Sequence, residues 1–302
     1  MSGKSDSEIE SLISEGLNEE NSELDLREKE LDDDDLIKIV KSDSAKGVTA
    51  LFLEFNEIGD EGIKALLDSE NMKFLTALNL FKNNVSDEGV IAMSRSKTLL
   101  NLNELILSDN NITEKGAAAI AESNILGGLV SLWLGDKLGD EGAIALAQSN
   151  TLTRLSQLSL YRNDISDEGA IAIAGSKNFS GLTELNLNWN YIEGPGAKAL
   201  ADSENLKNLD QLTMTYNQIG DSGAAAIANS ECFKKLSLLD LYENEIGEEG
   251  ARALAESKNL PELQTLILIR NDIGPEVQAL FKNSKNLPKL SNVMFRVVNP
   301  DA

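Results

Sequence analysis

Histidine is absent from the 302-residue sequence, so no Ser-His-Asp triad, Cys-His dyad or histidine-ligated metal can be assembled. The single cysteine, Cys232, stands beside Phe233 and close to Leu236, where an unpaired thiol acts as a small apolar group. Four consecutive carboxylates, Asp32 to Asp35, offer hard oxygen ligands of the kind calcium takes. They lack the alternating spacing of a calcium loop, and the competing reading is an acidic helix start. Gly-x-x-Gly pairs recur along the chain, which marks them as scaffold; none forms a glycine-rich phosphate loop after a strand. No catalysis, cofactor or metal is expected. What remains is the chemistry of recognition, carried by Phe52, Phe55, Phe81, Trp133, Tyr161, Trp189, Tyr216 and Tyr242, with Arg162 and Arg270 beside them.

These side chains are phased by an internal repeat, the feature to settle first in any chain. An asparagine recurs at Asn56, Asn83, Asn110, Asn163, Asn190, Asn217, Asn244 and Asn271, 27 residues apart with one interruption. Ahead of it run paired leucines such as Leu51/Leu53, Leu105/Leu107 and Leu185/Leu187. Weaker copies at Leu24/Leu26 and Val293/Phe295 bring the total to eleven units. Leucines alternating with variable residues define a short strand with one face inward. The Asn can satisfy main-chain groups at the turn because its amide both donates and accepts. Gly, Ser or Thr follows at Gly59, Ser86, Thr113, Gly139, Ser166, Gly220, Gly247 and Gly274, types that favour a helix N-cap. Asp-Glu then suits the first helical turn, so helices are predicted to start near Asp60, Asp87 and Asp167, with strands centred on the leucine pairs. A serine closes every helix, for example Ser149, Ser176 and Ser203.

The pattern L-x-x-L-x-L-x-x-N-x-I-(G/S)-D-E-G-A-x-A-L-A, spread over Leu24 to Phe295, resembles the leucine-rich repeat. It is most similar to the subtype of ribonuclease inhibitor, the Ran GTPase activator and the NOD-like receptors, although the long cysteine-rich repeats of ribonuclease inhibitor are absent. The resemblance implies an α/β solenoid. Strands stack about 4.8 Å apart and helices about 8–10 Å, so such an array bends into a horseshoe with a parallel sheet on the concave face and short helices on the convex face. Solenoids bind along that concave wall. The expected organisation is an acidic cap helix over 1–22, a repeat array over 23–288, and a capping strand and tail over 289–302. Ser5-Asp6-Ser7-Glu8 reads as a capping box before an apolar stripe of Ile9, Leu12, Ile13 and Leu17; an acidic tail that orders only on a partner is the competing reading.

Four positions per strand, the residues flanking the first leucine and those three and four beyond it, face the concave side or its rim. They make 44 of 302 positions, where chance places about two of the 14 aromatics, and they hold eight. Large aromatics exposed in a row anchor protein interfaces, so the expected partner is a protein on the concave face. The same positions hold ten acids and five bases, among them Glu54, Asp240 and Glu243 with Lys82, Arg162 and Arg270, a polar rim of both signs. One unit departs from the pattern. From Leu134 to Gly139 the turn is a residue short and Lys137 precedes Leu138 without a ladder Asn, either as drift or as a kink that aims Trp133 at a ligand.

Net charge is −23, and residues 1–35, with 14 acids and 3 bases, hold −11 of it. Nucleic acid and anionic membrane surfaces are disfavoured as partners. One cysteine gives no internal disulfide framework, no apolar leader opens the sequence, and no run approaches the roughly 20 apolar residues of a membrane span. The expectation is a monomer in a reducing cytosol, or in a host cytosol if bacteria deliver it, since the near-identical repeats resemble proteins of intracellular bacteria. The competing activity implied by the resemblance is stimulation of a small GTPase, with Arg162 or Asn188 as the polar residue at the horseshoe edge.

Overall fold

The structure is a computed structural model that describes residues 3–135, 137–282 and 284–296. The chain divides into two compact units, one of residues up to Leu138 with Ser149–Leu155, the other of Gly139–Gln148 with Ser156 onward. The first unit contains α1 (Asp6–Gly16), β1 (Glu23–Asp25), α2 (Asp33–Lys41), β2 (Ala50–Phe52), α3 (Asp60–Leu67), β3 (Ala77–Asn79), α4 (Asp87–Met93), β4 (Glu104–Ile106), α5 (Glu114–Glu122) and β5 (Ser131–Trp133). The second contains α6 (Gly139–Ala147), β6 (Gln157–Ser159), α7 (Asp167–Gly175), β7 (Glu184–Asn186), α8 (Gly194–Ala201), β8 (Gln211–Thr213), α9 (Gly220–Ala228), β9 (Leu238–Asp240), α10 (Glu248–Ala255), β10 (Thr265–Ile267), α11 (Pro275–Phe281) and β11 (Asn292–Met294). In each unit consecutive strands pair in parallel and in register, with Leu51 opposite Leu78 and Leu212 opposite Leu239. The fold class is α/β, as the spacing of the repeats implies.

Strands are centred one residue earlier than the leucine pairs suggest, on the first leucine. The chain leaves the extended region soon after the pair. Glu28, Phe55, Lys82, Asp109, Arg162, Trp189, Tyr216, Glu243 and Arg270, each four residues beyond the first leucine, all have φ between 49° and 58°. The second leucine still bonds across the repeat, as Leu53 N–H does to Asn79 O at 2.9 Å. Leu51, Leu53, Leu105 and Leu107 are fully buried, each contributing roughly 1.5–3 kcal/mol.

Within each unit three side-chain ladders run between successive repeats. In the first, Asn190 Oδ1 accepts from Asn163 N–H (3.1 Å) and Ile165 N–H (3.0 Å), and its Nδ2 donates to Leu160 O (3.0 Å) and Leu187 O (2.9 Å). Asn56 does the same for Lys29 and Leu31. The second ladder is built by the helix-start aspartates. Asp87 Oδ1 accepts from the main-chain N–H of Thr113 (2.8 Å) and of Gly116 (2.9 Å), and Oδ2 from Thr113 Oγ1 (2.7 Å). Asp60 and Asp140 repeat all three bonds, and Asp167 and Asp221 the two main-chain ones, each capping the helix of the following repeat. A Cβ on Gly116 would lie 2.7 Å from Asp87 Oδ1, so the carboxylate needs the glycine. In the third ladder the closing serines donate to carbonyls at the end of the preceding helix, as Ser176 does to Ala147 O (2.7 Å) and Ser203 to Ala174 O (2.6 Å).

Two of the expected N-caps, Gly139 and Gly220, lie inside their helices instead of before them. The aspartate slot holds Glu114 in α5 and Gly194 in α8. The helices of the following repeats, α6 and α9, start at Gly139 and Gly220, which lie inside them with φ of 62° and 57°. These two helices are entered through a left-handed glycine, whereas α11, with Glu248 in the slot before it, keeps Gly274 as an extended N-cap at φ −73°. The acidic run of α2 is also used internally: Asp32 and Asp35 form its capping box, Asp33 Oδ1 accepts from Gly59 N–H (2.6 Å), and Asp35 pairs with Lys4 (3.4 Å). Helix α1 carries the capping box of Ser5 and Glu8 and buries Ile9 and Ile13. Of the capping strand and tail expected over 289–302, residues 297–302 lie outside the described residues, as does Asp136.

Candidate functional site

The left-handed turn at the strand end governs where side chains stand. A non-glycine residue there costs of order 1 kcal/mol or more, and Gly or Asn would relieve it. None of the nine such residues named above is Gly or Asn; Phe, Trp, Tyr, Arg, Lys, Glu and Asp occupy the position. The strain is accepted in exchange for a large or charged side chain at the strand end. Such a trade points to a surface that touches something.

On the second unit the row is pre-assembled. Trp189 stacks on Tyr216 with ring centroids 3.8 Å apart and planes at 25°, and Tyr216 meets Tyr242 at 5.2 Å. Arg270 lies 5.6 Å from the Tyr242 ring centroid and pairs with Glu243 at 2.9 Å. That contact raises the Arg270 guanidinium above its ordinary range, and the Tyr242 hydroxyl pushes Tyr216 up. Trp189 remains 47% exposed. Beneath them, burial raises the Asp240 carboxyl despite the bond it accepts from Tyr242 N–H at 3.0 Å. Tyr161 is half-buried, and Arg162 is exposed with no ion-pair partner among the described residues.

On the first unit, Phe55 and Phe81 meet edge to face at 5.3 Å, with Lys82 5.0 Å from the centre of Phe55 and Arg27 6.0 Å from that of Phe52. Glu54 lies in the same face, 8% exposed, its Oε1 accepting from Asn79 Nδ2 at 2.7 Å. Its Oε2 is buried and has no hydrogen-bond partner. Burial pushes this carboxyl above the usual range, the nearby Arg27 offsetting part of the rise. Trp133 is 41% exposed and its indole N–H donates to Ser131 Oγ at 3.1 Å; it makes no ring contact with the phenylalanines among the described residues.

The ten candidates thus resolve into a cluster of Phe52, Phe55 and Phe81, a cluster of Trp189, Tyr216, Tyr242 and Arg270, and three residues outside both, Trp133, Tyr161 and Arg162. Sequence reasoning counted Glu54 only as one rim acid; its signal is that it is the one acid three residues beyond a first leucine. It also passed over Phe74 and Leu100, 49% and 58% exposed, which line an open cavity of about 570 Å³ with Thr49, Asn103 and Arg154. Cys232 is buried, and burial pushes its thiol up. No helix among the described residues is long and apolar enough to cross a membrane.

Parallel strands on one side, a helix in every repeat and conserved-register ladders between repeats define a repeat protein of the α/β class. The family model of the leucine-rich repeat matches residues 48–67, 71–94, 98–121, 148–174, 182–201, 205–228 and 234–255, more than half of the chain. The chain belongs to the leucine-rich repeat family. Comparison with curated protein sequences found no match. Among solved structures, an LRR protein of Leptospira interrogans is similar at 21% identity and a TM-score of 0.50, over 86% of this chain and 62% of that one. An internalin of Listeria monocytogenes is similar at 20% identity and a TM-score of 0.47, over 98% and 90%, and a TDR receptor at 17% and 0.45, over 97% and 59%. At these identities the likeness concerns the fold alone.

Proposed function

We propose that this chain is a non-catalytic protein-binding module whose partner lies along the strand face, the wall that the spacing argument makes concave. The single observation behind this reading is the left-handed strand end, where strained aromatic and charged residues stand in place of glycine. The stack of Trp189 and Tyr216, held before any partner arrives, lowers the ordering cost of binding. The helix in every repeat supports the ribonuclease-inhibitor-like subtype, and the excess of negative charge argues against nucleic acid and anionic membranes. The protein works as a monomer in the cytosol, of a host cell if it is a delivered bacterial effector. A pull-down from bacterial and eukaryotic lysates, repeated with Trp189→Ala, tests the reading: proteins retained equally by both would place binding elsewhere.

One observation favours a second reading. Arg162 stands at a strand end, exposed and without an ion-pair partner among the described residues, as a residue reaching into another protein's charged site would. Stimulation of a small GTPase is the activity to test, in a GTPase panel with the wild type and Arg162→Ala. Asn188 suits that role less, because its Oδ1 accepts from Thr215 N–H at 2.8 Å.

A further inference from the structure

The first unit holds an acid that its own chain leaves half satisfied. Glu54 presents a buried Oε2 without a hydrogen-bond partner among the described residues, while the cations of this face bond or stack on other groups. Arg27 is held by both oxygens of Asp25, at 2.9 and 2.5 Å, and Lys82 sits over Phe55. An ionised carboxylate out of water is costly until a cation joins it. Phe55 follows it in the chain and meets Phe81 edge to face, and the faces of Phe52 and Phe55 already draw cations of the same chain. Aromatic faces and one carboxylate form a receptor for a positive charge, on a molecule of net charge −23.

We propose that this face receives a lysine or arginine side chain of the partner protein, its cation seated against Phe52, Phe55 and Phe81 and paired with Glu54 Oε2, which is covered in the free chain and is uncovered as the cation arrives. The assignment rests on the reading of the strand face as the binding surface and adds the chemistry of what is bound there. Asn79 occupies Oε1, so the incoming cation meets a single oxygen in a fixed orientation. The partner accordingly offers one basic residue within an apolar surround, not a general polycation.

The test uses the full chain and a displayed random-peptide library selected on it. Recovered peptides are synthesised with each basic residue and with norleucine in its place, and their affinities are measured for the wild type, Glu54→Gln and Phe55→Ala. Glu54→Gln retains the size of the side chain and the bond from Asn79, and circular dichroism checks its fold. The expected result is a basic residue at one fixed position, with a loss of about thirtyfold on Glu54→Gln. The norleucine peptide should lose as much, and the two losses should not add. Peptides weakened by Phe55→Ala but indifferent to Glu54→Gln would overturn the proposal and leave the strand face as the binding surface. Peptides indifferent to both Phe55→Ala and Trp189→Ala, or no binders at all, would count against the strand face itself and so against both readings.

Discussion

Replacing Asp87 by alanine separates two accounts of the acidic helix starts. If Asp87 and Glu88 serve only the helix dipole, each contributes about 0.3–1 kcal/mol, and the two alanine variants should behave alike. The ladder gives them different work. Asp87 caps the following repeat through three bonds, to Thr113 N–H, Thr113 Oγ1 and Gly116 N–H. Glu88 is exposed, and no hydrogen bond or ion pair of its carboxylate is seen. Losing an N-cap costs about 0.5–2 kcal/mol, and bonds to a charged acceptor are worth about 1.5–3 kcal/mol each. Since Thr113 and Asp87 are only partly buried and water can replace some of this, whereas Gly116 is buried, Asp87→Ala is expected to cost about 2–4 kcal/mol. Gly116→Ala supplies the cross-check: the added Cβ would meet Asp87 Oδ1 at 2.7 Å and Ile112 Cγ2 at 2.6 Å, outweighing the roughly 1 kcal/mol that alanine gains over glycine in a helix. In the Asp87→Ala background the first clash disappears, so the penalty for Gly116→Ala should shrink by about 1 kcal/mol. Urea denaturation of the four variants beside the wild type measures all of this. Losses for Asp87→Ala and Glu88→Ala within about 0.5 kcal/mol of each other would refute the ladder.

Asn190→Ala should cost about 1–3 kcal/mol, because main-chain groups of two repeats lose their partner, whereas Lys137→Ala, at an exposed side chain, should cost far less in the same titration. Gly139→Ala and Gly220→Ala should each lose about 1 kcal/mol through positive φ, read as a lower melting temperature; no change would mean that these helices can start without the left-handed turn. Glu54 gives a pH signature: its folded pKa is raised, so the folded chain holds the proton more tightly and stability falls as pH rises from the ordinary carboxylate range through the raised value. Glu54→Gln should therefore be more stable than the wild type at neutral pH, with the gain vanishing in acid, and a gain independent of pH would contradict this.

Much of the fold was legible because the leucines and asparagines have one job each at a fixed spacing. Period two gives the strand and its inward face, and a side chain that both donates and accepts suits the turn after it. The aspartate and serine ladders were not legible, since both residues have an adequate local role, at a helix start or end, that hides a partner 26 to 29 residues away. The left-handed strand end was hidden for the opposite reason: glycine normally announces positive φ, and Phe55, Trp189 and Arg270 stand there instead. The aromatic row could be counted from the sequence, but its division into two clusters depends on rotamers that bring Trp189 onto Tyr216. The one bond that the Glu54 carboxylate receives comes from Asn79 of the next repeat, which no single position reveals.

Binding at the strand face is tested most directly with the partner recovered from the lysate and the variant Trp133→Ala/Trp189→Ala. Both side chains are over 40% exposed and outside the leucine core, so the variant should melt as the wild type does. Interface anchors cut to alanine typically cost about 2 kcal/mol or more each, so affinity should fall at least about thirtyfold, while Lys64→Ala or Arg252→Ala on the helices should change it little. Unchanged affinity in the double variant, with an unchanged melting curve, would contradict binding at the strand face.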